Sequence, residues 1–118
     1  MDQKIIYLDY AATTPPAHEV VEHMMLGLNT VWGNASSEHM YGYAANHYVE
    51  ESLQTISKFL GVEQSCLTLT NGATESINLA LKGVMRAQTA KKHMIAITTE
   101  HKATLNTAQA LAQEGFDV

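Results

Sequence analysis

The chain is 118 residues long, which fits one domain or part of a larger one, and its hydrophobic content of 46% is typical of a globular protein. Its formal net charge of −5, with only seven Lys and Arg, argues against nucleic acid as a partner. Neither a membrane span nor a secretory signal is predicted, because long apolar runs are missing from the sequence. The single cysteine, Cys66, cannot form an internal disulfide, so the cytoplasm is the expected location.

The first half of the chain predicts one short strand followed by two helices. The apolar residues 5–8 predict the strand, and the small, turn-forming residues that follow end it. Apolar residues then recur at helical spacing over residues 20–28, which predicts the first helix. A loop is predicted over residues 30–39, where glycine, asparagine and serine interrupt this spacing. The second helix should run from about residue 40 to residue 60, with Gly61 at its C-cap.

The second half predicts strands that alternate with helices. Residues 66–70 and 93–98 are apolar and rich in β-formers, and residues 116–118 resemble the start of a third strand. Helices are predicted from about Thr74 onward and over residues 101–114. This alternation indicates right-handed βαβ crossovers, hence an α/β fold with a parallel sheet and flanking helices. Because two complete strands are too few for a stable open sheet, we expect the chain to be the front end of a longer protein.

The turn between the second strand and the following helix, in the stretch TLTNGATES, predicts a phosphate-binding site. Gly72 and Ala73 are small enough for a close backbone approach to an anion, and the Thr74 hydroxyl adds a donor. The unpaired N–H groups and the positive dipole end of the helix complete the anion site. The alternative is an ordinary N-capped helix after a tight turn, because this pattern is less specific than a Walker loop. Glu75 is explained as an acidic residue that complements the helix dipole.

His101 follows the next predicted strand, so it should lie at the same carboxyl edge of the sheet as the phosphate turn. A flat imidazole at that edge could stack on an aromatic ligand ring. The alternative is a surface histidine near a helix N-terminus. The other histidines and Cys66 lack metal-ligand spacing, so no metal site is expected. Cys66 is predicted to be a small apolar residue in a core strand.

Four motifs in order resemble the amino-terminal part of the cysteine desulfurases, pyridoxal 5′-phosphate enzymes of the class V aminotransferase group with the type I aminotransferase fold. YLDYAATTP at residues 7–15 is similar to the family's opening segment. GNASSEHMYG at residues 33–42 resembles its GNPSSxHxxG loop, with Ala35 in place of the usual proline. TNGATESINLALKG at residues 70–83 and ITTEHKATLNT at residues 97–107 are similar to its two cofactor turns. The motifs cover nearly the whole chain, so together they are more specific than any one alone.

The resemblance implies that Gly72, Ala73 and Thr74 hold the phosphate of pyridoxal 5′-phosphate, and that His101 stacks on the pyridine ring and assists proton transfer. It implies an enzyme that converts L-cysteine to L-alanine and transfers the sulfur as a persulfide for iron–sulfur cluster or thio-cofactor assembly. The implied partners are L-cysteine, a sulfur-acceptor or iron–sulfur scaffold protein, and a second copy of the chain in a homodimer. No nucleic acid or membrane partner is implied.

By the same resemblance, residues 1–62 form an amino-terminal arm with helices, and residues 63–118 form the truncated start of the large cofactor-binding α/β domain, with an incomplete parallel sheet. The family's Schiff-base lysine, its aspartate at the pyridine nitrogen, its substrate-binding arginine and its sulfur-accepting cysteine all lie later in the pattern. Lys102 and Cys66 occupy none of these positions. We therefore expect the chain to be inactive alone and to bind the cofactor weakly or not at all. Two other interpretations stay open: another class V enzyme, such as a selenocysteine lyase or an aminotransferase, and a non-catalytic dimerising or binding module.

Overall fold

The computed structural model of the protein describes residues 5–118. Its regular secondary structure in this range is helical and consists of α1 (His18–Thr30), α2 (Met40–Leu60), a 3-10 helix (Gln64–Cys66), α3 (Ala73–Ala87) and α4 (Lys102–Gln113). The chain forms two compact units, which divide between Leu67 and Thr68. The four predicted α-helices are confirmed, and each lies close to the predicted residues; for α3, only the start near Thr74 had been predicted. None of the helices described in this range combines the length and the hydropathy that a bilayer span requires.

The first unit contains α1 and α2, which differ in burial and in capping. None of the residues of α1 is buried, and the side chain of its N-cap, Ala17, makes no hydrogen bond. In contrast, α2 begins at the N-cap His39, whose Nδ1 accepts a hydrogen bond from the N–H of Gly42 (3.3 Å). It ends at Gly61 in the left-handed conformation, with a φ of 68°, so the predicted glycine C-cap is confirmed.

The loop that precedes α2 is packed closely against the start of that helix. The side chain of Asn34 accepts a hydrogen bond from the N–H of Ser36 (2.9 Å), and its carbonyl accepts one from the N–H of Ser37 (2.9 Å). A Cβ at Gly42 would collide with the carbonyl oxygen of Ser37 and would lie 2.8 Å from its carbonyl carbon. Only glycine fits at this position without a shift of the loop backbone, so the loop predicted here is a fixed turn.

In the second unit, α3 and α4 pack against each other. The buried residues of the two helices are Ala103, Thr107, Ala108, Leu111 and Met85. The first four lie along nearly the whole length of α4, and Leu111 is fully buried. Of the inward-facing residues that helical spacing predicts for α4, Ala108 and Leu111 are buried and Leu105 is half-buried. The packed face of α4 is therefore the face that the apolar pattern indicates.

A bidentate ion pair joins the C-terminal ends of α3 and α4. Arg86 Nε lies 3.0 Å from Glu114 Oε2, and Arg86 Nη2 lies 2.6 Å from Glu114 Oε1. The hydrogen bonds from Arg86, together with the attraction between the charges, hold the pKa of the Glu114 carboxyl below its ordinary value. Because α3 and α4 pack against each other and this ion pair joins their C-terminal ends, we infer that the two helices run in the same direction. It follows that both N-terminal turns are at the opposite end of the pair from the ion pair.

Within residues 5–118 the predicted strands are not paired into a sheet. The β-pairing found in this range is an isolated parallel bridge between His93 and Asp117. The N–H of Asp117 donates to the carbonyl of Lys92 (2.8 Å), and the N–H of Met94 donates to the carbonyl of Asp117 (2.8 Å). The parallel direction agrees with the predicted βαβ connection. A strand is stabilised by its neighbours, and because the other predicted segments have none in this range, the parallel sheet stays a prediction.

The prediction that Cys66 lies in a buried core strand is wrong. Cys66 is the last residue of the 3-10 helix, and its side chain is exposed. Its N–H donates to the carbonyl of Glu63 (2.9 Å), so the backbone turns where an extended strand was expected. The extended conformation begins only at Leu67, with φ of −99° and ψ of 134°.

Candidate functional site

The start of α3 presents main-chain donors without acceptors. Its N-cap is Gly72, with φ of 114° and ψ of −180°, a conformation that residues with side chains avoid. The first helical hydrogen bond runs from the N–H of Ser76 to the carbonyl of Gly72 (3.1 Å). Among the described residues, the N–H groups of Ala73, Thr74 and Glu75 donate to no acceptor. These donors lie at the positive end of the helix dipole and suit an anionic ligand.

Side chains on both sides of Gly72 hold this turn in place. The hydroxyl oxygens of Thr70 and Ser76 are 2.6 Å apart, and they lie 3.3 Å and 3.2 Å from the Gly72 carbonyl oxygen. Because each hydroxyl has one proton, a chain from Thr70 to Ser76 to the carbonyl satisfies both donors. The Glu75 carboxylate accepts a hydrogen bond from the N–H of Asn71 (2.7 Å). Glu75 therefore closes the turn in addition to complementing the dipole.

The sequence pattern did not indicate the roles of Thr70 and Ser76. A capping-box spacing, with a glutamate at the third helical position, could have shown the backbone contact of Glu75. The hydroxyl pair has no comparable signature, because its contact depends on how the chain turns at Gly72.

His101 is the N-cap of α4 and is tied to the first turn of that helix. Its Nδ1 accepts a hydrogen bond from the N–H of Ala103 (3.1 Å). Its carbonyl oxygen accepts the N–H groups of Thr104 (2.9 Å) and Leu105 (3.2 Å). The residue is exposed, so the ring is accessible from solvent while one of its nitrogens is engaged with the main chain.

The predicted site residues all lie in the second unit. Gly72 to Thr74 are at the start of α3, and His101 immediately precedes α4. Since α3 and α4 run in the same direction, the turn at Gly72 and the imidazole of His101 are at the same end of the helix pair, and all four residues are exposed. The binding role of each stays a prediction. In the described part of the chain, no group of three or more His, Cys, Asp and Glu residues is placed to hold a metal ion. The absence of a metal site stays a prediction.

Both the sequence and the fold resemble those of known proteins. The family described as Aminotransferase class-V matches residues 6–118. Cysteine desulfurase IscS of Histophilus somni (strain 2336) is 47% identical over 117 residues, and that of Anaeromyxobacter sp. (strain K) is 43% identical over 115 residues; each alignment covers 96% of this chain. A solved structure described as "NIFS-LIKE PROTEIN" matches 96% of this chain with a TM-score of 0.89 at 38% identity. Another, described as "SspA in complex with cysteine", matches 95% with a TM-score of 0.85 at 38% identity.

The chain spans under a third of the length of the curated relatives it matches. It covers 29% of the Histophilus protein and 28% of the Anaeromyxobacter protein. It covers 31% and 33% of the two solved chains. The structural likeness supports the predicted type I aminotransferase fold for this amino-terminal segment. Because the family match extends over nearly all of its residues, the chain belongs to the class V aminotransferase family.

Proposed function

We propose that this chain forms the phosphate-binding and ring-stacking part of a cysteine desulfurase, an enzyme that uses pyridoxal 5′-phosphate to convert L-cysteine to L-alanine. The proposal is supported by the two helix starts of the second unit: the first turn of α3 has free main-chain donors, and the N-cap of α4 carries an exposed imidazole. Its second support is the relatives at 47% and 43% identity, which are named cysteine desulfurases.

The first turn of α3 fits the phosphate group of the cofactor. A phosphate presents several strong acceptor oxygens, and the N–H groups of Ala73, Thr74 and Glu75 are donors without acceptors among the described residues. The Thr74 hydroxyl would add a fourth donor. Apart from Gly72 and its two chain neighbours, no residue has a heavy atom within 4 Å of the position that a Cβ on Gly72 would take, so an anion has room beside the turn. The nearby Glu75 carboxylate is engaged by the N–H of Asn71, which offsets its repulsion of a phosphate.

His101 fits the cofactor ring. Its exposed imidazole lies at the same end of the helix pair as the phosphate turn, and its bond to the α4 main chain restricts its orientation. Bound pyridoxal phosphate supplies the electron sink that weakens bonds at the α-carbon of an amino acid. The role proposed for His101 is to cover one face of the ring and to exclude water from it.

The proposal extends to the partners of the reaction. L-Cysteine as substrate is supported by the names of the relatives and by a structural neighbour described as a complex with cysteine. A sulfur-acceptor or iron–sulfur scaffold protein, a homodimeric state and a cytoplasmic location follow from the family resemblance. None of the 118 residues matches the family's cofactor-binding lysine or its sulfur-accepting cysteine. The proposal therefore assigns cofactor binding to this chain and does not assign turnover to it alone.

The test is a titration of the full chain with pyridoxal 5′-phosphate, followed by the amide resonances of α3. We expect the cofactor to shift the amide signals of Ala73, Thr74 and Glu75, and inorganic phosphate to shift the same signals more weakly. Pyridoxal, which lacks the phosphate, should change them much less. If the cofactor leaves these three amides unchanged, the proposed phosphate site is wrong.

A pair of variants separates a specific effect from a general one. Thr74→Val removes the hydroxyl donor and should weaken cofactor binding about tenfold or more, the effect of one lost hydrogen bond to a charged group. Thr68→Val makes the same change at an exposed position before the turn and should leave binding unchanged. Equal effects of the two variants would contradict the assignment. In any longer protein that contains this segment, a faster release of alanine from L-cysteine than from selenocysteine would distinguish a desulfurase from a selenocysteine lyase.

A further inference from the structure

We infer that the first turn of α4 fixes the tautomer of His101, so that Nε2 carries the proton of the neutral ring and Nδ1 is committed to the helix. The positioning group is the main-chain N–H of Ala103. The structural part of this inference stands on the hydrogen bond alone, whereas its meaning for the reaction rests on the proposed function.

The tautomer follows from the direction of one hydrogen bond. A main-chain N–H can only donate, so the nitrogen that faces Ala103 at 3.1 Å must offer a lone pair. In a neutral imidazole one nitrogen is bare and the other is protonated, which leaves the proton on Nε2. A doubly protonated ring has no lone pair at Nδ1 and cannot make this bond.

The position of Ala103 makes the bond costly to lose. Ala103 is only 9% exposed, and it is the second residue of α4, where the N–H has no partner within the helix. Turning the His101 ring over would place a carbon against this N–H and would leave it without an acceptor. The α4 turn therefore selects one ring orientation as well as one tautomer.

The first unit of the chain uses the same device at another helix. His39 is the N-cap of α2, and its Nδ1 accepts a hydrogen bond from the N–H of Gly42 at 3.3 Å. Gly42, like Ala103, is buried. Two histidines at two helix starts thus use Nδ1 in the same way. His39 gives an internal reference for the behaviour expected of His101.

The capped ring has no free basic nitrogen. The lone pair of Nδ1 is engaged by Ala103, and Nε2 already carries a hydrogen. Under the proposed function, His101 therefore meets the cofactor and the substrate as a stacking ring and as a hydrogen-bond donor through Nε2.

The tautomer can be read directly by nitrogen NMR of the side chain. Long-range ¹H–¹⁵N correlation spectra of the labelled full chain distinguish a bare from a protonated ring nitrogen, and the spectrum of His101→Gln identifies the signals of His101. At a pH where the ring is neutral, we expect a bare Nδ1 and a protonated Nε2, as for His39. A protonated Nδ1, or an even mixture of the two tautomers, would overturn the inference.

Two substitutions test the cap by a second measurement. His101→Asn keeps a side-chain acceptor at the N-cap and should retain most of the thermal unfolding midpoint, whereas His101→Ala should lower it by several degrees. His47→Ala, which changes an exposed histidine inside α2, is the control and should have little effect. Equal midpoints for the two His101 variants would count against the cap.

These measurements also separate the inference from the proposed function. The expected tautomer together with no cofactor-induced shift in α3 would refute the function and support the capped ring. A protonated Nδ1 together with normal cofactor binding would refute the inference alone.

Discussion

Replacing Gly72 by alanine tests the turn at the start of α3 without introducing a steric clash. Apart from Gly72 and its two chain neighbours, no residue has a heavy atom within 4 Å of the position that the new Cβ would take. The cost is therefore conformational, because Gly72 has φ of 114° and ψ of −180°, a region that is almost restricted to glycine. We expect Gly72→Ala to lower the free energy of unfolding by about 1–3 kcal/mol.

The matched control is the same substitution at Gly83 in the interior of α3. There too the added Cβ would meet no heavy atom within 4 Å beyond its chain neighbours and the nearby backbone of its own helix, but the backbone at Gly83 is helical. Alanine is favoured over glycine in a helix, so Gly83→Ala should raise the free energy of unfolding by about 0.5–1 kcal/mol. A methyl group is thus added at two positions where neither meets a steric clash, yet it should change the free energy of unfolding in opposite directions. The free energies of unfolding of the two variants should differ by about 1.5–4 kcal/mol.

Urea unfolding followed by circular dichroism measures both variants, and a shift of the midpoint at constant m-value reports the change in stability. Gly72→Ala should also weaken the binding of pyridoxal 5′-phosphate, because the turn that aims the N–H groups of Ala73 and Thr74 would change its backbone conformation. Equal stability of Gly72→Ala and the parent would refute the reasoning, since it would show that the turn does not hold a positive φ in solution.

Three further substitutions test the ion pair between α3 and α4, the turn at the start of α3, and the loop before α2 in the first unit. Glu114→Gln should remove a pH dependence of stability: Arg86 lowers the pKa of Glu114 in the folded chain, so the stabilisation is present above the ordinary value of 4.5 and is lost as the pH falls below it. Thermal unfolding of parent and variant across that range checks this, and parallel curves would contradict it. Thr70→Val should lower the free energy of unfolding by about 0.5–1.5 kcal/mol, because the Ser76 hydroxyl loses its partner; unchanged urea unfolding would show that the hydroxyl chain does not form. Gly42→Ala should cost about 1–3 kcal/mol by the same assay, because the methyl collides with the loop before α2, and an unchanged midpoint would argue against that close packing.

The helices could be predicted from the sequence because the features that define them are local. Gly61 ends α2 in the left-handed conformation that glycine adopts at little cost. The spacing of Ala108 and Leu111 places both on the packed face of α4. Each of these features lies within a few residues of the structure that it determines.

The strands could not be predicted with the same success because strand pairing joins distant parts of the chain. The β-forming composition of residues 66–70 predicted a strand, yet Cys66 belongs to a 3-10 helix, since its N–H finds a nearer acceptor in Glu63. The bridge between His93 and Asp117 joins the segment before α4 to the segment after it, so the whole of α4 separates the two residues in the sequence. Apolar composition alone does not specify such partners.

The candidate site shows the same division. The small residues at 72–74 and the place of His101 after an apolar segment indicated where a ligand should bind. The contacts that hold those residues could not be predicted, since the bond between the Thr70 and Ser76 hydroxyls depends on the turn at Gly72. The Nδ1 bond of His101 likewise depends on its side-chain rotamer, which the sequence does not specify.

Each half of the candidate site is formed locally, but helix packing determines where the two halves lie. The turn at Gly72 and the cap at His101 are built from residues close to one another in the sequence. The packing of α4 around the buried Leu111 and the ion pair at the opposite end determine that both turns are at the same end of the helix pair. A change within one turn should therefore impair one half of the site only. Loosening the contact between α3 and α4 would instead separate the anion donors from the imidazole while both turns stay intact, so the chemistry proposed for this segment depends on the helix contact as much as on its site residues.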